Sequence, residues 1–147
     1  MAERFRPNES EEEQVSVSAD VVKAWLEEFG RVWREGDVEG AAAIMTEGAS
    51  YRNSPFLEQP FVGHDAIAGF WDAALVGVSD VDFRYGTPVI EGDRVGVEWW
   101  ATLRSGGEDY TLAGNFLLTF AGDRVADLRE SFVKQKGALQ PHAGWGL

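Results

Sequence analysis

Apolar side chains recur every three or four positions after residue 18, which is the spacing of one buried face of an α-helix. The residues of this face are Val22, Trp25, Leu26, Phe29, Val32 and Trp33. Ser18 is a favourable N-cap, and Gly36 suits the left-handed position that ends a helix. Asp37 follows directly and is predicted to cap a second, short, Ala-rich helix over residues 38–45.

The next stretch combines a short strand, a loop and a third helix. Residues 49–53 alternate like a strand, and Pro55 and Pro60 then interrupt regular structure. Gly63 begins a helical pattern whose buried side is formed by Ile67, Phe70, Trp71, Ala74 and Leu75.

Beyond Gly77 the apolar period changes from helical to alternating. Strands are predicted at residues 81–85, 95–103, 110–120 and 125–133, with Gly-containing turns between the last three. The order α-α-β-α-β-β-β-β predicts an α+β fold, with three N-terminal helices packed on one face of a strongly curved, mostly antiparallel sheet. Such a cone-shaped α+β barrel leaves a pocket between helices and sheet, and small molecules bind in concavities of this kind.

The chain is predicted to contain one domain, because 147 residues is a usual size for a single domain. The domain covers residues 18–134. Residues 1–17 are polar and acidic and are predicted to form a flexible arm, and residues 135–147 are predicted to form an irregular tail.

Composition narrows the classes of function. The net charge of −12 disfavours nucleic acid and anionic membrane surfaces as partners. Two His and no Cys are too few for a metal centre built on those ligands, and no glycine-rich phosphate motif occurs. We therefore predict no metal and no organic cofactor. No apolar run reaches the ~18 residues of a membrane-spanning helix, and the N-terminus lacks a secretory signal, so a cytoplasmic protein is expected.

Several motifs together resemble the nuclear transport factor 2-like superfamily in its SnoaL-like branch. They are the helix hairpin that ends in Gly36-Asp37, the Y-x-N-x-P turn at residues 51–55, the P-F-x-G-x-x-A-I segment at residues 60–67, and the meandering strands. The resemblance covers residues 18–134 and implies the cone fold. It also implies a homodimer through the outer sheet face, where Trp100 is predicted to lie. For function it implies several classes, namely hydrolases, isomerases, cyclases, dehydratases and non-catalytic binders.

A partial match to limonene-1,2-epoxide hydrolases suggests individual roles. In that family a Tyr and an Asn of a Y-x-N stretch hold a water together with an acidic residue, and Tyr51 and Asn53 match them. Its last strand carries an Asp where this chain has Glu130. Its Arg-x-Asp pair is absent, and Trp99 and Ala101 occupy those positions.

Strand alternation and the resemblance place nine residues on the concave face: Tyr51, Asn53, Trp99, Ala101, Leu112, Gly114, Phe116, Leu128 and Glu130. Glu130 is the predicted general acid or base, because an apolar environment raises the pKa of a carboxyl group toward neutrality. Alternatively, Glu130 faces solvent or pairs with Arg129. Tyr51 and Asn53 are predicted to hold a substrate oxygen or a water. Their structural alternatives are a buried Tyr with a satisfied hydroxyl group and an Asn that shapes the turn.

Predicted substrate contacts form an apolar set, namely Trp99, Trp33, Trp71, Leu112, Phe116 and Ala101. The tryptophans are predicted to form a flat wall for a small apolar molecule of aromatic, polycyclic or terpenoid-like character, with core packing as the alternative. His64 is expected near solvent without a catalytic role. His142 and Trp145 lie in the tail, which could cover the pocket mouth as a lid.

Two functions remain open at this level. The first is a cofactor-independent enzyme that isomerises, cyclises, dehydrates or opens an epoxide by acid–base catalysis. The second is a binding or interaction module whose cone is filled by its own aromatic side chains.

Overall fold

The computed structural model describes residues 16–147 and shows the predicted α+β architecture. Its elements in chain order are α1 (Ala19–Glu35), α2 (Val38–Ala43), β1 (Met45–Arg52), β2 (Phe61–Val62), α3 (His64–Ala74), β3 (Val78–Tyr85), β4 (Val89–Glu91), β5 (Arg94–Ser105), β6 (Glu108–Ala121) and β7 (Arg124–Lys136). Of the arm predicted over residues 1–17, residues 1–15 lie outside the described residues.

The strands form one seven-stranded sheet in the order β2-β1-β7-β6-β5-β3, with β4 also paired to β5. Only β1 and β7 run parallel, so the sheet is mostly antiparallel, as predicted. Strands β2 and β4 were absent from the prediction because two or three residues are too short to show an alternating pattern.

All three predicted capping residues of the helix hairpin occupy capping positions. The Ser18 hydroxyl accepts a hydrogen bond from the Val21 backbone N–H at 3.1 Å, and Gly36 has a φ of 68°. The Asp37 carboxylate accepts from the Gly40 N–H at 2.9 Å. Helix α2 ends at Ala43, two residues earlier than predicted. It stops there because Met45 already begins β1.

The apolar face of α1 packs against the concave side of the sheet. The Phe29 ring lies 5.0 Å from the ring of Phe116 and 5.3 Å from that of Phe83. The buried Trp25 ring packs edge-on against Phe116, and its indole N–H donates to the Ile44 carbonyl at 2.9 Å. These contacts fill the cone near α1.

The C-terminal tail packs on the outer face of the sheet. The Trp100 and Trp145 rings meet edge-to-face at 5.9 Å, and the Trp100 indole N–H donates to the Leu139 carbonyl at 3.0 Å. The Gly146 N–H donates to the Glu98 carboxylate. The expectation of a lid formed by His142 and Trp145 is therefore wrong, because Trp145 is held on the opposite side of the sheet.

No helix within residues 16–147 is long and apolar enough to cross a membrane.

Candidate active site

A cavity lies between the concave face of the sheet and helices α1 and α3. The volume of this cavity is ≈ 230 Å³. This is slightly below the roughly 300 Å³ at which pockets for drug-sized ligands begin, so the cavity suits a small molecule. Its walls are mostly aromatic and include Phe29, Trp33, Phe70, Trp71, Trp99 and Phe132.

Strand register arranges the concave side chains in rows across β5, β6 and β7. Three successive rows are Val97 with Phe116 and Glu130, then Trp99 with Gly114 and Phe132, then Ala101 with Leu112 and Lys134. Gly114 carries no side chain, and the rings of its row neighbours Trp99 and Phe132 pack together at 5.7 Å. A Cβ at Gly114 would lie 2.0 Å from the Ser131 carbonyl oxygen, so the backbone requires glycine here.

Glu130 is the carboxylate of this cavity. Its residue surface is only 9% exposed, and burial raises the pKa of Glu130 to about 8, against a smaller lowering effect of the Tyr51 hydroxyl. Arg129 pairs instead with Asp127 at 3.0 Å. The alternative of a solvated Glu130 paired with Arg129 therefore does not hold in the structure.

Tyr51 lies beside Glu130 and is itself 2% exposed. Its hydroxyl donates to Glu130 Oε1 at 3.4 Å, which is longer than the roughly 2.5–3.0 Å of a good O–H···O bond. Burial, followed by the charge of Glu130 and this hydrogen bond, raises the pKa of Tyr51 well above its ordinary value. Tyr51 therefore acts as a hydrogen-bond donor rather than as a base.

Asn53 follows the last residue of β1 and is half-buried. It lines the same cavity as Tyr51 and Glu130, so the structure brings the three predicted polar residues to one concavity.

The predicted apolar contacts divide into two groups. Trp33, Trp71, Trp99 and Leu112 line the cavity. Phe116 and Ala101 do not line it, because their side chains are buried in the core beneath it. Alternation along a strand shows which residues share a face of the sheet, but it does not show which of them reach the open space of the cavity.

The tryptophans do not form the flat wall that was expected. Trp33 packs against Trp71 at an interplanar angle of 76° and against Trp99 at 75°. The three rings therefore meet edge-to-face and form a corner. The buried indole N–H of Trp99 has no hydrogen-bond partner among the described residues. An unpaired buried donor costs about 1–3 kcal/mol.

Sequence reasoning missed several lining residues. On β7, Phe132 and Lys134 continue the alternation of Glu130 into the cavity, and on β5 Leu103 and Ser105 continue that of Trp99. The period-2 pattern was sufficient to find all four.

The remaining candidates have no part in this cavity. His64 Nε2 lies 2.9 Å from the Met45 carbonyl oxygen, and this contact joins the start of α3 to β1. Within residues 16–147 no group of three or more His, Cys, Asp or Glu side chains is placed to hold a metal ion.

Comparison with known proteins identifies the fold family. A family model for the SnoaL-like domain matches residues 22–128. A search of curated proteins finds no significant match. Three similar solved structures illustrate the fold. An LEH-like epoxide hydrolase of Mycobacterium tuberculosis is 16% identical with a TM-score of 0.65, over 78% of this chain and 84% of that chain.

The second is SalBIII, an epoxide hydrolase/cyclase-like enzyme described as acting in pyran ring formation in the polyether salinomycin. It is 17% identical with a TM-score of 0.64, over 76% of this chain and 89% of its own. The third is a Catenulispora acidiphila protein with a ketosteroid isomerase-like fold, solved with trimethylamine. It is 13% identical with a TM-score of 0.65, over 78% and 85% of the two chains. Identities this low show the fold alone. Because the SnoaL-like model matches well over half of its residues, the chain belongs to the SnoaL-like domain family, within the nuclear transport factor 2-like superfamily.

Proposed function

We propose that the protein is a cofactor-independent enzyme that acts on a small apolar, oxygen-bearing molecule by acid–base catalysis. The observation that supports this most is the buried Glu130 carboxyl in an otherwise mostly apolar cavity, with Tyr51 beside it and Asn53 in the same lining. The ≈ 230 Å³ of cavity space favours a terpenoid-like substrate of one or two rings over larger polycyclic compounds.

Glu130 acts first as an acid. With a pKa of about 8, roughly nine in ten Glu130 carboxyl groups are protonated at pH 7. The proton passes to an epoxide oxygen as its C–O bond breaks, or to a carbonyl oxygen, which leaves its carbon electron-poor. The resulting carboxylate accepts the Tyr51 hydrogen bond. It then takes a proton from the hydroxyl group that attacks the opened epoxide, or from the carbon next to the protonated carbonyl so that an enol forms, and this restores the acid.

The polar groups of the cavity favour isomerisation and intramolecular cyclisation over hydrolysis. Hydrolysis in the limonene epoxide hydrolase pattern uses an Arg-x-Asp pair to activate water. At the matching positions Trp99 lines this cavity and Ala101 is buried beneath it. Among the described residues that line the cavity, Glu130 is the one carboxylate. A nucleophile within the substrate removes the need for a second charged group.

The pH dependence of turnover tests this assignment. We expect kcat to be constant below pH 7 and to fall as the pH rises through about 8, by about tenfold per pH unit above it, because the ionised form has no proton to donate. The measurement is a kcat–pH profile on a substrate found by screening epoxides and cyclic enones. A rate that rises through pH 8 would instead identify Glu130 as the base of the first step.

A binding module without catalysis is the second candidate. It is supported by the packing of Phe29, Phe116 and Trp99, whose rings pack against one another and fill part of the cone. The same screen separates the two functions. Compounds that bind by calorimetry but are never converted, across all chemical classes tried, would favour the binding module.

We further propose that the protein is a homodimer through the outer face of the sheet. Because Trp100 is covered by Trp145 of its own chain, the tail would form part of this interface. Light scattering coupled to gel filtration should give twice the chain mass of 16.2 kDa. A mass equal to one chain at micromolar concentration would contradict the dimer.

A further inference from the structure

Strand β7 presents three chemically different side chains to one cavity. Glu130, Phe132 and Lys134 occupy alternate positions and all line it. With a rise of about 3.3 Å per residue, the Cα atoms of Glu130 and Lys134 are roughly 13 Å apart. The cavity therefore has a proton carrier at one position of this strand, an aromatic wall in the middle and a cation at the other.

Lys134 is exposed and has no carboxylate partner within 4 Å in the part of the chain that the structure describes. Its Nζ lies 4.4 Å from the centroid of the Tyr110 ring. Lys136, the next residue on the same face, does not line the cavity and pairs with Glu108 at 2.8 Å. Of these two lysines, only Lys134 offers an unneutralised charge to a molecule in the cavity.

The space between Glu130 and Lys134 suits a hydrocarbon. The Phe132 ring packs on the Trp99 ring at 5.7 Å, and Leu112 is paired with Lys134 on the neighbouring strand. All three of these apolar residues line the cavity. A protonated Glu130 does not repel an anion, so an anionic ligand meets no like charge from the residues that line the cavity.

We propose that the ligand of this cavity is an apolar molecule with a terminal carboxylate, which pairs with Lys134 while the other end of the molecule reaches Glu130. The proposal rests on the proposed function only for the role of Glu130. It defines the substrate class as an apolar acid, roughly 10–13 Å from the carboxylate to the reacting group.

The test compares two probes of nearly equal shape, 4-phenylbutanoate and its neutral amide, 4-phenylbutanamide. We expect calorimetry at low ionic strength and pH 7 to show that the acid binds about two- to fivefold more tightly, the range for one partly exposed ion pair. Salt at 0.5 M should remove the difference, because it screens exposed charges. Lys134→Gln should make the two affinities equal without weakening the amide, whereas the matched control Lys136→Gln should keep the preference.

Three results would overturn the proposal: equal binding of acid and amide by the wild type, a preference that survives in Lys134→Gln, or no binding of either probe. Because calorimetry measures binding and not turnover, the proposed substrate class can be disproved without disproving the proposed catalysis, and the reverse also holds. Glu130→Gln should keep the preference for the acid even though it abolishes the proposed chemistry.

Discussion

Glu130→Gln is expected to lower kcat by about 100- to 10,000-fold on any substrate that the wild type converts. Gln keeps the size of the Glu130 side chain and its ability to hydrogen-bond to Tyr51, but it cannot release a proton. The apolar walls are unchanged, so KM should change by much less than kcat. The measurement is steady-state kinetics of both proteins on the best compound of the epoxide and enone screen.

Two further variants make this result specific. Glu98→Gln changes a carboxylate on the outer face, where it accepts from the Gly146 N–H, and should leave kcat unchanged. Tyr51→Phe removes a hydrogen bond that lowers the pKa of Glu130 and should move the alkaline limb of the kcat–pH profile upward. A fully active Glu130→Gln enzyme would show that another group carries the proton.

The helices and long strands could be predicted because their sequence signals are local. The cap residues Ser18, Gly36 and Asp37 form the contacts that their chemistry favours, and each depends on residues only a few positions away. The short strands β2 and β4 depend on the partners β1 and β5 instead. Their pairing is a property of the folded sheet, so two or three residues of sequence could not show it.

For the candidate site, the sequence predicted on which face of the sheet each residue lies, but not whether its side chain reaches the cavity. Alternation along β5 and β7, taken with the family resemblance, placed Trp99 and Glu130 on the concave side, where the structure has them. It could not separate Leu112, which reaches the cavity, from Phe116, which lies beneath it. That difference depends on the curvature of the sheet and on the volume filled by Phe29 from α1. Both are long-range properties of the packed chain.

The position of the C-terminal tail could not be predicted from local sequence patterns either. Its sequence has no periodicity, and its position is determined by contacts far along the chain. The Trp100 indole N–H bonds to the Leu139 carbonyl, and the Thr87 N–H bonds to that of Gly146. Alternation predicted that Trp100 faces outward but not that the same chain would cover it.

Glu130→Gln is also expected to stabilise the protein at alkaline pH, although it removes the proposed catalytic group. The pKa of Glu130 is about 8 in the folded protein and near 4.5 when the chain is unfolded. Between these values the folded protein holds a proton that the unfolded chain has lost. The unfolding free energy of the wild type therefore falls as the pH rises from about 4.5 to about 8, and this loss is absent from the variant.

Chemical denaturation at pH 5 and pH 9 measures this effect without any substrate. At 1.36 kcal/mol per unit of pKa, the stability of Glu130→Gln relative to the wild type should increase by on the order of 4 kcal/mol between these pH values. The control is Glu28→Gln, because the pKa of Glu28 is lowered by Arg31, so this carboxylate is mostly ionised in both the folded and the unfolded chain over that range. Its stability relative to the wild type should therefore change little with pH. A similarly flat difference for Glu130→Gln would mean that Glu130 ionises at its ordinary pKa. The main support for its role as an acid would then be lost.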